Sequence, residues 1–151
     1  MRHVEVLLPH PEPVIVMMAP RLRCSWADYS ALEWYIADLP RPVTFRVSGM
    51  IIGPEEFVER IAPAWGHKVE VWGPDGNTPE GRARRLNKSD DFERDASSLF
   101  DAHALWAWPL RHEVLADSKI LDYEMITIAQ DMNIPVLLFM PEANNFEVLE
   151  L

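Results

Sequence analysis

Side chains suited to phosphate binding fall in the polar segments that separate the apolar runs of this sequence. Arg21 follows the first run, Ser48, Gly49 and Gly53 follow the second, and Ser118 precedes a later helical pattern. Arginine binds phosphate through two parallel hydrogen bonds, and glycine lets backbone N–H groups approach it closely. The pattern is typical of a pocket for a phosphorylated small molecule. The alternative interpretation is a solvated polar surface.

The histidines and the single cysteine, Cys24, do not form a metal-binding pattern. None of the five histidines has a Cys/His or His-x-x-x-His spacing to a second ligand. We therefore expect neither a metal nor another cofactor. A single cysteine cannot form an internal disulfide, which favours a reducing, cytoplasmic location.

The composition predicts one domain with a sizeable core and excludes several kinds of partner. The chain has 151 residues, 48% hydrophobic content and a net charge of -10. An acidic chain is a poor general binder of nucleic acid, which requires a cationic surface. The longest apolar run, residues 13–20, is too short to span a bilayer, and the start of the sequence has no signal-peptide pattern. We expect neither nucleic acid nor a membrane as a partner.

Five β-favouring apolar runs alternate with helical patterns along the chain. The predicted strands cover residues 14–18, 43–47, 68–72, 102–108 and 135–140. Right-handed crossovers between such strands give a mainly parallel five-stranded sheet with helices on both faces, and so a single Rossmann-like α/β domain. Ser25 is predicted to cap the first helix, with Asp28 as its capping partner.

The predicted Rossmann-like domain covers residues 13–140, with residues 1–12 as an N-terminal extension and residues 141–151 as a C-terminal tail. Both ends contain a short strand-like stretch, at residues 3–7 and 146–149. Either the two stretches pair and close an edge of the sheet, or the second forms a dimer contact. The sequence leaves both arrangements open.

The carboxyl edge of the predicted sheet is where a ligand is expected to bind. In open parallel sheets, the loops that follow the strands form the binding crevice. Trp72 and Trp106 lie near this edge, where an indole would stack on a nucleobase. Packing in the core is the alternative role for both tryptophans.

Six short stretches follow one another in a characteristic order. They are Met-Ala-Pro-Arg at 18–21, Ser-Gly-Met-Ile-Ile-Gly-Pro at 48–54, Arg-Asp-Ala-Ser-Ser-Leu at 94–99, an Asp-Ala strand start at 101–108, Asp-Ser-Lys at 117–119 and Asn-Ile-Pro-Val at 133–136. In this order the chain resembles the SLOG superfamily of Rossmann-like domains, which includes the Lonely Guy phosphoribohydrolases and the DNA-processing protein A domain. The resemblance covers roughly residues 13–140. It departs most at Asp117, where the family has a glycine-threonine phosphate loop.

The resemblance implies that the chain binds a nucleotide-derived small molecule containing phosphate or pyrophosphate. The ligand-binding residues that it implies are Arg21, Ser48, Gly49, Gly53, Arg94, Asp95 and Ser118. Glu124 stands where catalytic family members carry a glutamate, and with Arg94 it forms the candidate catalytic pair. A carboxylate there would stabilise the oxocarbenium-like state of N-glycosidic cleavage.

Three functions are therefore in competition. The leading expectation is a sensor or sequestering protein, because the glycine-threonine loop is not intact. The second is an N-glycosidic-bond hydrolase acting on nucleoside phosphates. The third is a protein-interaction scaffold with a degenerate pocket. We also expect a homodimer or a higher homo-oligomer, because the sequence contains six tryptophans.

Overall fold

The strands of the described residues form one sheet. The computed structural model describes residues 2–19, 23–40, 42–49, 52–72, 98–99, 101–108, 121–140 and 147–150, with the backbone alone at residues 2, 121–124, 140 and 147–150. Six strands lie in these ranges: β1 (Val14–Met18), β2 (Thr44–Val47), β3 (Lys68–Val71), β4 (Ala104–Ala107), β5 (Val136–Met140) and β6 (Glu147–Glu150).

The strand order in the sheet is β3-β2-β1-β4-β5-β6. Strands β1 to β5 are parallel, and β6 pairs antiparallel with β5 at one edge. The central strands β1 and β4 contain only apolar side chains, as strands covered on both faces require. The prediction of a single α/β domain with five parallel strands is confirmed, and β6 extends the sheet by one strand.

The helices of the described residues are α1 (Arg2–Glu5), α2 (Trp26–Ala37), α3 (Pro54–Ile61) and α4 (Leu121–Asp131), with a 3-10 turn at Ala62–Trp65. Helix α2 begins as predicted. The Asp28 N–H donates to Ser25 Oγ at 3.1 Å, and the Asp28 carboxylate accepts a hydrogen bond from the Ser25 N–H. No helix in these ranges combines the length and the apolar character needed to cross a bilayer.

Alternate residues of each strand enter two separate apolar layers, because side chains of a strand point to opposite faces in turn. Ile15 and Met17 of β1 share one layer with residues of α2 and α3. Val16 and Met18 share the other layer with residues of α4. The predicted arrangement of helices on both faces is therefore correct, and it leaves the loops at the two ends of the strands as the exposed edges of the sheet.

The N-terminal segment differs from its predicted conformation. Residues 3–7, for which a short strand is predicted, form α1 and the turn after it, and the N–H groups of Leu7 and Leu8 both donate to the Val4 carbonyl. A helical turn pairs its backbone groups locally, whereas a strand requires a neighbour. The segment also buries Leu7 completely in the layer of α2. The C-terminal stretch does form a strand, but it pairs with β5 and not with residues 3–7.

Two imidazoles stabilise the amino ends of the strands. His103 Nδ1 accepts a hydrogen bond from the Val14 N–H at 2.9 Å, and His67 Nδ1 accepts one from the Val43 N–H at 3.1 Å. Only a neutral imidazole has a lone pair to accept with. Burial lowers the pKa of His67, and burial together with the nearby His10 ring lowers the pKa of His103.

The free energy of unfolding should decrease as the pH falls below the ordinary histidine pKa of 6.5. Because the folded-state pKa of both groups is lowered, the unfolded chain binds more protons in this range. The stabilisation is complete above pH 6.5 and is lost progressively as the pH falls from there through the folded-state values. Urea unfolding between pH 5.5 and 7.5 measures this dependence.

His67→Asn is the matched variant, because the Asn oxygen accepts from the Val43 N–H at either pH and does not titrate. Its unfolding free energy should vary less with pH than that of the wild type. A variant curve that is parallel to the wild-type curve would show that His67 makes no contribution.

Candidate functional site

The strand order reverses between β1 and β4, and this reversal defines a candidate site at the carboxyl edge. The chain runs from β1 outward through β2 to β3, then returns to the other side of β1 to form β4 and β5. The connections that follow β1 and β4 therefore leave the sheet in opposite directions. Such a point is where open α/β sheets bind their ligands.

A buried glutamate joins the ends of β1 and β2 at this edge. Glu55 is 2% exposed and its Oε2 accepts a hydrogen bond from the Ala19 N–H at 3.2 Å. Its Oε1 accepts from both the Ser48 N–H, at 2.5 Å, and Ser48 Oγ, at 2.7 Å. One carboxylate thus satisfies three donors from the segments that follow the two strands.

The turn between β2 and α3 positions Glu55. Gly49 and Gly53 adopt positive φ angles of 89° and 105°, which a side chain would make strained. Gly53 is the N-cap of α3 and Pro54 follows in the first turn, where its missing N–H costs nothing. Glu55 lies in the first turn of α3, and its carboxylate reaches the residues that follow β1 and β2.

A buried ion pair joins the segment before α2 to the first turn of that helix. Arg23 Nη2 lies 2.8 Å from Asp28 Oδ1, and the two side chains are 6% and 8% exposed. Arg23 Nε also donates to the same carboxylate at 3.2 Å. The Asp28 carboxylate accepts a further hydrogen bond from Ser25 Oγ at 2.9 Å. The Arg23 charge is therefore balanced inside the protein at the start of α2.

A small cleft lies over the carboxyl halves of β1 and β2, on the face that α4 also covers. It encloses about 10 Å³, and it is lined by Val16, Met17, Met18, Arg46, Val47, Ser48, Trp72 and Ser98. That volume holds about one water molecule. A larger group would therefore rest at the mouth of the cleft rather than inside it.

Arg46 lines this cleft and connects β2 with β3 and with the residues just before β4. Its Nε donates to Glu70 Oε1 at 3.1 Å, across the register of β2 and β3. Its Nη1 donates to the Ser98 carbonyl at 2.8 Å and to Asp101 Oδ1 at 2.9 Å. The guanidinium also lies 4.8 Å from the centroid of the Trp72 ring. These contacts fix Trp72 at the side of the cleft.

The tryptophans named from the sequence have different environments. Trp106 is 1% exposed and packs in the core, so the core-packing alternative is correct for it. Trp72 is half-buried directly after β3 and lines the cleft. Trp108, at the end of β4, is fully buried and stacks on Phe139 at 3.9 Å. Its indole N–H has no hydrogen-bond partner among the described residues.

The predicted site residues fall into three groups. Ser48, Gly49 and Gly53 lie between β2 and α3. Glu124 lies in the first turn of α4, where only its backbone is described. The remaining predicted residues lie outside the described ranges: Arg21, Arg94, Asp95 and Ser118.

Two residues that organise this edge are not among the predicted site residues. In the sequence, Glu55 has the pattern of an acidic first-turn residue of a helix, and nothing local indicates that it is buried. Arg46 is a charged residue within an apolar strand, Thr-Phe-Arg-Val, and this interruption was the available signal. A charge inside a buried strand requires a partner, which the sequence does not identify.

No cluster of three or more His, Cys, Asp or Glu side chains suited to a metal occurs among the residues that the structure describes. No protein-family model matches this chain, and comparison with curated proteins and with solved structures gives no match either. The fold and the local geometry are therefore the grounds for assigning a function, and the resemblance to the SLOG superfamily stays a prediction.

Replacing Arg46 by methionine should reduce the free energy of unfolding by about 2 kcal/mol, because it leaves the buried Ser98 carbonyl without this donor. Glu70 and Asp101 are more than half exposed and regain water, so they add little. Arg60→Met is the control, since Arg60 is exposed and forms an ion pair with Glu56 of the same helix. We expect it to cost about 0.5 kcal/mol or less. Equal losses in urea unfolding would contradict the role of Arg46.

Proposed function

We propose that this protein binds a nucleotide-derived small molecule at the carboxyl edge of its sheet and acts as a sensor or sequestering protein. The observation that carries the proposal is the reversal of strand order between β1 and β4. At such a point, separate loops converge on one crevice outside the strand ends. Parallel pairing of β1 with both of its neighbours supports the proposal, because it brings these strand ends to one edge.

The mouth of the cleft, beside Trp72, is the proposed position of the base. Trp72 lines it with an indole ring, and Arg46 holds that ring from one side. Aromatic side chains bind nucleobases by stacking, which tolerates different bases.

The proposed phosphate contacts are the arginines Arg21 and Arg94 and the loop of Ser118. These residues lie outside the described ranges, and their roles follow from the resemblance to the SLOG superfamily. Within the described edge, Arg23 and Arg46 are paired with carboxylates. The donors of Ser48 both bind Glu55. A phosphate in this crevice therefore needs positive charge from other residues, and we assign that role to Arg21 and Arg94.

A screen of melting temperatures against nucleotides, cyclic dinucleotides and ADP-ribose derivatives tests the proposal. A ligand that binds the folded state raises the melting temperature. For the ligand that gives the largest shift, Trp72→Ala should weaken binding by about tenfold, the usual contribution of one stacked base. Trp65→Ala is the matched control, because Trp65 is half-exposed and precedes β3 at the opposite edge. Equal affinities of the two variants would exclude the cleft as the base site.

The second candidate function is hydrolysis of the N-glycosidic bond of a nucleoside phosphate. The observation that favours it is the position of Glu124 in the first turn of α4, in the chain between β4 and β5. The connection after β4 leaves from the carboxyl edge, next to the reversal of strand order. A carboxylate near that point would stabilise positive charge on the ribose or orient water.

If the protein is this hydrolase, release of free base from a nucleoside monophosphate should fall at least about 100-fold in Glu124→Gln, because an amide cannot act as acid or base. Binding of the ligand should change little. Asp131→Asn, at the last residue of α4, is the control and should retain full activity. Release of base at the same rate by wild type and Glu124→Gln would remove Glu124 from the mechanism. Binding without any release would leave the sensor function.

Self-association is also part of the proposal. Several large apolar side chains are exposed in the described ranges, among them Trp26 at 84% and Trp34 at 55%. Exposed aromatic side chains are enriched at protein interfaces. Both belong to α2, which makes the outer face of that helix the proposed contact of a homodimer. A protein-interaction scaffold, the third expectation, would use the same face.

A further inference from the structure

Three hydrogen-bond donors converge on one point between the ends of β1 and β2. They are the Ala19 N–H, the Ser48 N–H and the Ser48 hydroxyl, and the Glu55 carboxylate accepts from all of them at 2.5 to 3.2 Å. Backbone N–H groups that converge in this way form an anion-binding concavity. The carboxylate is the anion that this arrangement holds in the folded chain.

The site is enclosed. Ala19 and Ser48 are each 5% exposed, and Glu55 is 2% exposed. Burial of a carboxylate is costly unless hydrogen bonds compensate for the water it loses. Equally, the two N–H groups would be buried without a partner if the carboxylate were removed, at a cost of the same kind. The donors therefore require an oxyanion, and the chain supplies one from α3.

We propose that the ends of β1 and β2 form a binding site for a small oxyanion, a carboxylate or inorganic phosphate, which the protein's own Glu55 occupies. An external anion enters only by displacing Glu55. The inference rests on Ala19, Ser48 and Glu55 alone and does not require that the protein binds a nucleotide.

Because Glu55 occupies the site, an external anion must compete with its carboxylate. Glu55 belongs to the same chain and is held in the first turn of α3, so its effective concentration at the site is high and external anions bind weakly to the wild type. Displacement would break the hydrogen bonds by which Glu55 joins the segments after β1 and β2. Entry of an anion and loosening of this edge would then be the same event.

Glu55→Ala provides the direct test, because the atoms it removes correspond to one acetate ion. In a chloride buffer this variant should have a lower melting temperature than the wild type. Saturating acetate should raise the melting temperature of the variant by about 3 °C or more relative to chloride at equal ionic strength. Inorganic phosphate should act in the same direction. Wild type should not respond at the same concentrations.

Glu56→Ala is the matched control, because Glu56 is the next residue of α3 but binds Arg60 rather than the strand ends. It should show no difference between acetate and chloride. The amide resonances of Ala19 and Ser48 give an independent reading: in Glu55→Ala, acetate should return both towards their wild-type positions. Addition of acetate to Glu56→Ala should leave them unchanged.

If Glu55→Ala does not fold in chloride, acetate should restore the amide spectrum of the folded protein. Glu55→Gln is a second variant that keeps one acceptor oxygen but turns an NH₂ group towards a donor. It should shift the Ser48 or Ala19 amide and respond to acetate less than Glu55→Ala. Equal responses of Glu55→Ala and Glu56→Ala to acetate, or no recovery of an unfolded Glu55→Ala, would overturn the proposal. Neither result bears on binding at Trp72.

Discussion

Burial of β1 and β4 on both faces is the constraint on which the other features of this structure depend. Their side chains point alternately into the two apolar layers. Helices therefore cover each face, and these two strands carry no polar side chains. In β1 and β4, only the strand ends remain for polar chemistry, whereas β2 contains Arg46. Because the strand order reverses between β1 and β4, the connections that follow these two strands leave the carboxyl end in opposite directions, which is where open α/β sheets bind their ligands.

The ends of the buried strands are completed by side chains rather than by more backbone. At the amino end, neutral imidazoles of His67 and His103 accept from N–H groups that precede or begin β2 and β1. At the carboxyl end, Glu55 accepts from the N–H groups that follow β1 and β2. The two edges differ in the group that accepts. At the amino end it is a neutral imidazole, and at the carboxyl end it is a carboxylate. The proposed ligand site is at the second of these edges.

Much of the fold could be predicted from the sequence because its signals are local. The run Val14–Met18 is apolar and bounded by prolines, and Ser25 with Asp28 has the spacing of a capping box. The predicted strands agree with the observed ones to within one or two residues at each end. The exception is the N-terminal segment, where residues 3–7 have a strand-like composition but form α1 because the helical turn pairs their backbone groups without a neighbouring strand.

By itself, the sequence determined most strands and helices, the parallel pairing of the strands and the turn signal at Ser48, Gly49 and Gly53. These features depend on the hydrophobic period and on backbone freedom at neighbouring residues. Tertiary structure alone decided the partners of Arg46 and Glu55. Arg46 meets Ser98 and Asp101 more than 50 residues away, and Glu55 meets Ala19 across 36 residues. No local pattern encodes such contacts, because they arise only when distant strands and helices come together. For the same reason, the sequence does not indicate that the Glu55 carboxylate joins the ends of β1 and β2.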